Sequence, residues 1–94
     1  MVVGVCLIDL FIPQSRSLKQ KRMVVKGLKD SIRSRFNVAV AEVDYNDLWQ
    51  KAKLGIAGIG AKQALLDKCF SSILDLIEER GVAEIIDTEI EFYR

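Results

Sequence analysis

The chain has no histidine among its 94 residues, and that absence narrows its chemistry more than any motif it carries. It removes the commonest general base, the commonest zinc ligand and every triad built on imidazole. Cysteine occurs only twice, at Cys6 and Cys69, without CxxC or other ligand spacing. Both fall in apolar segments, so they read as reduced core thiols and not as a disulfide or a metal site. Aromatic residues make up 7% of the chain, which leaves few rings on which bases could stack. No stretch is long enough to cross a bilayer. The apolar start, MVVGVCLIDLF, lacks a basic lead-in and contains Asp9, so it reads as a strand and not as a signal peptide or membrane anchor.

What is present suits one folded domain spanning 1–94. Half of the residues are apolar, too many for disorder, and a chain of this length buries roughly 60 to 65% of its unfolded surface around a single core. The net charge is only +1, but it is unevenly distributed. Residues 14 to 35 carry eight cations against Asp30 alone, and residues 67 to 91 carry eight acids against Lys68 and Arg80.

The periodicities divide the chain into six elements. Residues 2 to 11 are almost continuously apolar, the pattern of a central strand covered on both faces. After Pro13, Ser17 with Gln20 forms a capping box that opens a helix running to about Arg35. Leu18, Val24, Val25, Leu28 and Ile32 lie within about 120° on that helix and form its core stripe. Asn37 suits a left-handed stop.

Residues 37 to 45 alternate as a second strand, with Val38, Val40 and Glu42 on one face. A connection past Trp49 leads into a glycine-rich third strand, KAKLGIAGIG, residues 51 to 60. Leu66, Phe70, Ile73 and Ile77 mark a second helix closed by Gly81. The final segment alternates Ile86, Thr88, Ile90 and Phe92 toward a core against Asp87, Glu89, Glu91 and Tyr93 toward water.

The order β-α-β-β-α-β predicts an α+β ferredoxin-like sandwich, a four-stranded antiparallel sheet with two helices on one face. Right-handed crossovers place the first and third strands in the centre and the second and fourth at the edges.

The stretch SRSLKQKR, residues 15 to 22, begins the first helix with four cations, at the end where the macrodipole disfavours them. Lys19, Arg22, Lys26, Lys29 and Arg33 are spaced three, four, three and four apart, and so project within about 80° as a basic ridge. An anionic ligand, a carboxylate partner or solvent alone would each relieve that arrangement. With the hydroxyls of Ser15 and Ser17 and the cations Arg16 and Lys21, the helix start suits a phosphate or carboxylate, and the ridge suits a phosphodiester backbone. The nearest competing partners are Glu42, Asp44 and Asp47, where Glu42 and Asp44 share a strand face. If they hold Lys21 or Arg22, the site shrinks to Lys19, Lys26, Lys29 and Arg33. Trp49 reads as a core or interface anchor.

No residue set predicts a catalytic group, a metal site or a cofactor. The open sheet face has no RNP-like sequence for base stacking. It does predict an apolar patch, and hence a homo-oligomer formed through that face.

In SLKQKR, and again in RFNVAVAEVDYNDLWQKAKLGIAGI, the chain resembles the YlxP-like family of small bacterial proteins of unknown function. The resemblance implies the same ferredoxin-like fold. Because genes of that family lie beside those for transcription elongation, translation initiation and ribosome maturation, it also implies a partner in ribosomal RNA or the ribosome-maturation machinery. It brings no catalytic residues. Ala39 stands where relatives often have serine. The leading expectation is a cytoplasmic, non-enzymatic RNA- or ribosome-associated module without membrane contact. The alternatives are a small-molecule-binding regulatory oligomer and a protein–protein adaptor.

Overall fold

The computed structural model describes residues 1–94 and contains six elements: β1 (Val2–Phe11), α1 (Leu18–Arg35), β2 (Ala39–Asp44), β3 (Lys51–Gly60), α2 (Gln63–Arg80) and β4 (Glu84–Tyr93). The strands form one antiparallel sheet in the order β2-β3-β1-β4. Both helices lie on one face, as in a ferredoxin-like sandwich.

Alternation in β1 and β3 assigns the two faces. Cys6, Ile8 and Leu10 of β1, with Ala52, Leu54 and Ile56 of β3, are buried beneath the helices. They meet Val25, Leu28 and Ile32 of α1 and Phe70, Ile73 and Ile77 of α2 in a single core. Burying each large aliphatic side chain contributes about 1.5 to 3 kcal/mol, and this layer supplies most of the force holding helices to sheet. Gly4 belongs to the same face because nothing larger fits. A Cβ there would lie 2.9 Å from Phe70 Cε2 and 3.2 Å from Leu66 Cδ1. The Phe70 ring sits over that gap and stacks on Phe92 of β4, with centroids 6.3 Å apart.

The helix ends follow their local chemistry. Ser17 Oγ accepts from the Gln20 backbone N–H at 3.1 Å, and Gln20 Oε1 accepts from the Arg16 N–H at 2.6 Å. The cap half of the box is formed, and the Gln20 side chain returns one residue beyond the cap, to Arg16 instead of Ser17. α2 ends on Gly81 in the left-handed region, φ 66°, a conformation that costs glycine nothing.

Four expectations are corrected. β1 is covered on one face only: Val3, Val5, Leu7, Asp9 and Phe11 are partly exposed on the other. Asn37 is not a left-handed stop, because α1 closes through Phe36 in extended backbone, whose N–H donates to the Ile32 carbonyl. In β4 the simple alternation fails at a register shift opposite Asp9 and Leu10. The shift turns Ile85 toward the core and leaves Ile86 61% exposed, because a bulge inserts one residue and inverts the faces beyond it. Trp49 is not a core anchor but lies 56% exposed on the β2–β3 connection.

Candidate nucleic-acid interface

Lys21 leaves the basic site altogether. It occupies the same stripe of α1 as Val25, Leu28 and Ile32, and is fully buried with them. Its Nζ donates to Glu42 Oε2 at 2.8 Å, to the Tyr45 carbonyl at 2.8 Å, and at 3.3 Å to the carbonyls of Asn46 and Lys51. An ammonium has three hydrogens, so four acceptors saturate it and nothing remains for an external anion. The cost of burying the charge is offset inside the protein by one carboxylate and a ring of carbonyl dipoles.

This buried ammonium organises the β2–β3 connection. Tyr45 takes a left-handed backbone, φ 63°, which is unfavourable for a side chain of its size. Its carbonyl accepts from both Lys21 Nζ and the Leu48 N–H, and its N–H is held by Asp44 Oδ1 at 2.7 Å. Lys51 and Lys53 place their ammonium groups 5.5 and 5.9 Å from the centre of the Tyr45 ring, within cation–π range. Gln50 ties the connection to the β1–α1 loop, donating to the Pro13 and Ser15 carbonyls at 3.2 Å. The Ile12 N–H in turn donates to the Gln50 carbonyl at 2.8 Å.

Glu42 and Asp44 do not share a face. A bulge between them sets Glu42 opposite Leu54 on the helix side and Asp44 opposite Lys53 on the open side. Both hydroxyls expected at the anion site are also committed. Ser15 is buried and donates to the Ser17 carbonyl at 3.1 Å, and Ser17 Oγ is the cap of α1. The Ser15 hydroxyl is thus withdrawn from any ligand, and the Ser17 oxygen is occupied by the cap, which leaves only its O–H.

What remains is an outward ridge. Lys19, Arg22, Lys26 and Arg33 are exposed and Lys29 is partly so, with Arg16 exposed just before the helix. The spacing carries the ridge about 21 Å along α1. The side chains of Arg16, Lys19, Arg22 and Lys29 make no hydrogen bond or ion pair within the chain. Lys26 does: its Nζ donates to Asp30 Oδ2 at 2.6 Å, an i,i+4 pair, and Arg33 lies 3.9 Å from the same carboxylate. Asp30, the one acid of this segment, sits at the border of the ridge and serves both cations. The hydrogen bond from Lys26 holds the Asp30 carboxyl below the usual aspartate range, with Arg33 and Lys29 adding to the effect. Arg33 also donates to the Val40 carbonyl at 2.9 Å, so its guanidinium is shared between edge-strand backbone and ridge.

Tertiary structure separates the two charge blocks. Contacts from Lys21 and Arg33 set α1 over β2, while Asp87, Glu89 and Glu91 stand exposed on β4 at the opposite edge of the sheet. A nearly neutral chain thereby acquires one positive and one negative side.

A family model described as "Protein of unknown function (DUF503)" matches residues 3–90. The chain belongs to that family. It is 28% identical over 92 residues to the uncharacterized protein YlxP of Bacillus subtilis (strain 168), covering 98% of this chain and 100% of the relative. Among solved structures it is similar to a de novo designed protein, Foldit4, with a TM-score of 0.56, 13% identity, and coverage of 100% of this chain and 98% of the design. That likeness concerns the fold alone. No helix is long and apolar enough to cross a membrane.

Two features central to the site went unassigned in the sequence: the role of Tyr45 as a pivot for Lys21, and the use of Gln50 as a clasp between loops. The signal for the first was present. A lone lysine in the apolar stripe of a helix and a lone glutamate on the apolar face of the following strand are natural mates.

Proposed function

We propose that the chain is a cytoplasmic, non-enzymatic module that binds ribosomal RNA, or an assembly maturing it, through phosphates laid along the outward ridge of α1. The reading rests on one observation: Lys19, Arg22, Lys26 and Lys29 follow one another on a single helix face, and three of the four lack any internal partner. Lys19 and Arg22 stand in the first turns of α1, which contain no acid. There the macrodipole disfavours cations, and a bound phosphate reverses the sign of that interaction. Phosphate contacts require surface cations and little further architecture, which fits a ridge with no pocket beneath it. Arg33 extends the same face and Arg16 is exposed just ahead of it, whereas Lys21, Ser15 and Ser17 serve the fold.

Affinity dominated by phosphates falls with salt, each contact adding about −0.7 to −0.9 to the log–log slope, so five contacts predict a slope near −4. The test is retention on ribosomal RNA across a salt series, with a Lys19→Glu, Arg22→Glu, Lys26→Glu triple variant in parallel. The wild type should bind with that slope, and the variant should lose binding while keeping its fold. Equal, salt-insensitive binding by both proteins, or binding by neither, overturns the reading.

A further inference from the structure

The face of the sheet away from the helices carries a pattern that the ridge does not explain. Registers across β2, β3 and β1 align Ala39 with Ala57 and Val5 in one row, and Ala41 with Gly55 and Leu7 in the next. Each row reads small, small, large. The small positions leave a trough of about 330 Å³ along β2 and β3, and Val5 and Leu7 form its wall on β1. Ile59 and Val43 are 66% and 50% exposed at its two ends. The trough is apolar, with no side-chain donor or acceptor aimed into it, so it offers nothing to orient a polar metabolite.

We propose that this face is a homodimer interface in which the β1 wall of each copy seats in the β2–β3 trough of the other, about a two-fold axis running along β3. A rotation about that axis keeps the level along the strands and exchanges the two sides of β3. Val5 of one copy therefore meets Ala39 of the second, and Leu7 meets Ala41. Large falls on small in both rows and in both directions, which is the self-complementarity an isologous contact requires.

The same axis leaves β4 overhanging the contact, so that Glu89 and Glu91, which flank Leu7 and Val5 in the register, stay in water. At one end, Lys53 lies 3.5 Å from Asp9 of the same chain, so the charged row enters the rim already paired. The net charge of +1 opposes association little.

The area fits a weak dimer. Two ten-residue strands about 33 Å long and the six-residue β2, about 20 Å long, spaced about 4.8 Å apart, give a footprint of about 400 Å² per copy, or roughly 800 Å² in total, below the span of stable interfaces and in the range of weak, transient ones. A concentration-dependent equilibrium is expected, not an obligate dimer. This inference does not depend on the RNA reading, since the ridge lies on the other side of the sheet.

Sedimentation equilibrium from about 1 µM to about 1 mM should show the mass rising from the monomer's 10.6 kDa toward twice that value. Ala57→Arg, at an exposed position on the axis, should hold the mass at the monomer value at every concentration with an unchanged circular dichroism spectrum. Val5→Lys and Ala39→Asp should each weaken association alone and restore it when mixed, because the mixture matches one contact by charge and leaves the other native. A wild type that stays monomeric throughout, whether or not the trough takes up a foreign peptide or apolar ligand, overturns the proposal. So does a dimer indifferent to Ala57→Arg, or a failure of the mixed pair to associate.

Discussion

The ammonium of Lys21 lies 2.8 Å from the carboxylate of Glu42, with Lys21 fully buried and Glu42 16% exposed. The pair joins the first turn of α1 to the end of β2. It also supplies the point around which the β2–β3 connection turns, because three backbone carbonyls of that connection and of β3 complete the coordination. A cation that the sequence groups with a binding surface thus serves as a bolt between layers.

Lys21→Met should therefore destabilise the fold strongly. The side chain fits by volume, but Glu42 and the carbonyls of Asn46 and Lys51 lose the ammonium, and the Tyr45 carbonyl keeps only the Leu48 N–H. Breaking one side of a buried pair costs about 3 to 5 kcal/mol. Chemical denaturation measures the loss. Adding Glu42→Leu should recover part of it by removing the stranded carboxylate, whereas a single Lys19→Met change should leave stability nearly unaltered.

The Cys6 thiol predicts an alkaline weakness. Complete burial pushes its pKa from 9.0 up to about 11. An unfolded chain ionises this group from about pH 9, so between pH 9 and 11 it binds fewer protons than the folded state. Stability is thus intact below pH 9 and falls as pH rises through the interval, by about 2 to 3 kcal/mol for a shift of this size. Denaturation midpoints across that range should decline less steeply in Cys6→Ala than in the wild type. Near neutral pH a thiol reagent should reach Cys6 only through global unfolding, with the half-buried Cys69 reacting first.

Asp30 is the internal competitor for any anion on the ridge. Removing its charge with Asp30→Asn releases Lys26 and relieves Arg33, so RNA should bind more tightly than to the wild type, with a steeper salt slope by up to about 0.9 for one regained contact. The Asp30–Lys26 pair is exposed, and such pairs add little to stability, so the thermal midpoint should barely move. A variant that binds no better would place Lys26 outside the contact.

The parts of the fold set by local chemistry were readable without coordinates. Period 3.6 in α1 and α2, the Ser17 capping box, the Gly81 stop and the near-continuous apolar run of β1 each depend on residues a few positions apart, and the β-α-β-β-α-β order leaves few topologies. Two exceptions arise where a one-residue insertion resets alternation, at Ile86 and between Glu42 and Asp44. Bulges are set by the pairing partner and leave no clear mark in the strand that carries them.

The sequence by itself determined the six elements, the ferredoxin-like topology, the polarity of charge between its two halves and the cationic repeat along α1, because periodicity and capping are short-range. Only tertiary structure decided which cations face water. Lys19 and Lys21 are two residues apart and chemically identical, yet one projects into solvent and the other is buried against Glu42. The helix sector that meets the sheet, and the acceptors waiting there, come from strands more than twenty residues away, so the fate of each lysine is settled by packing and not by its neighbours in the chain.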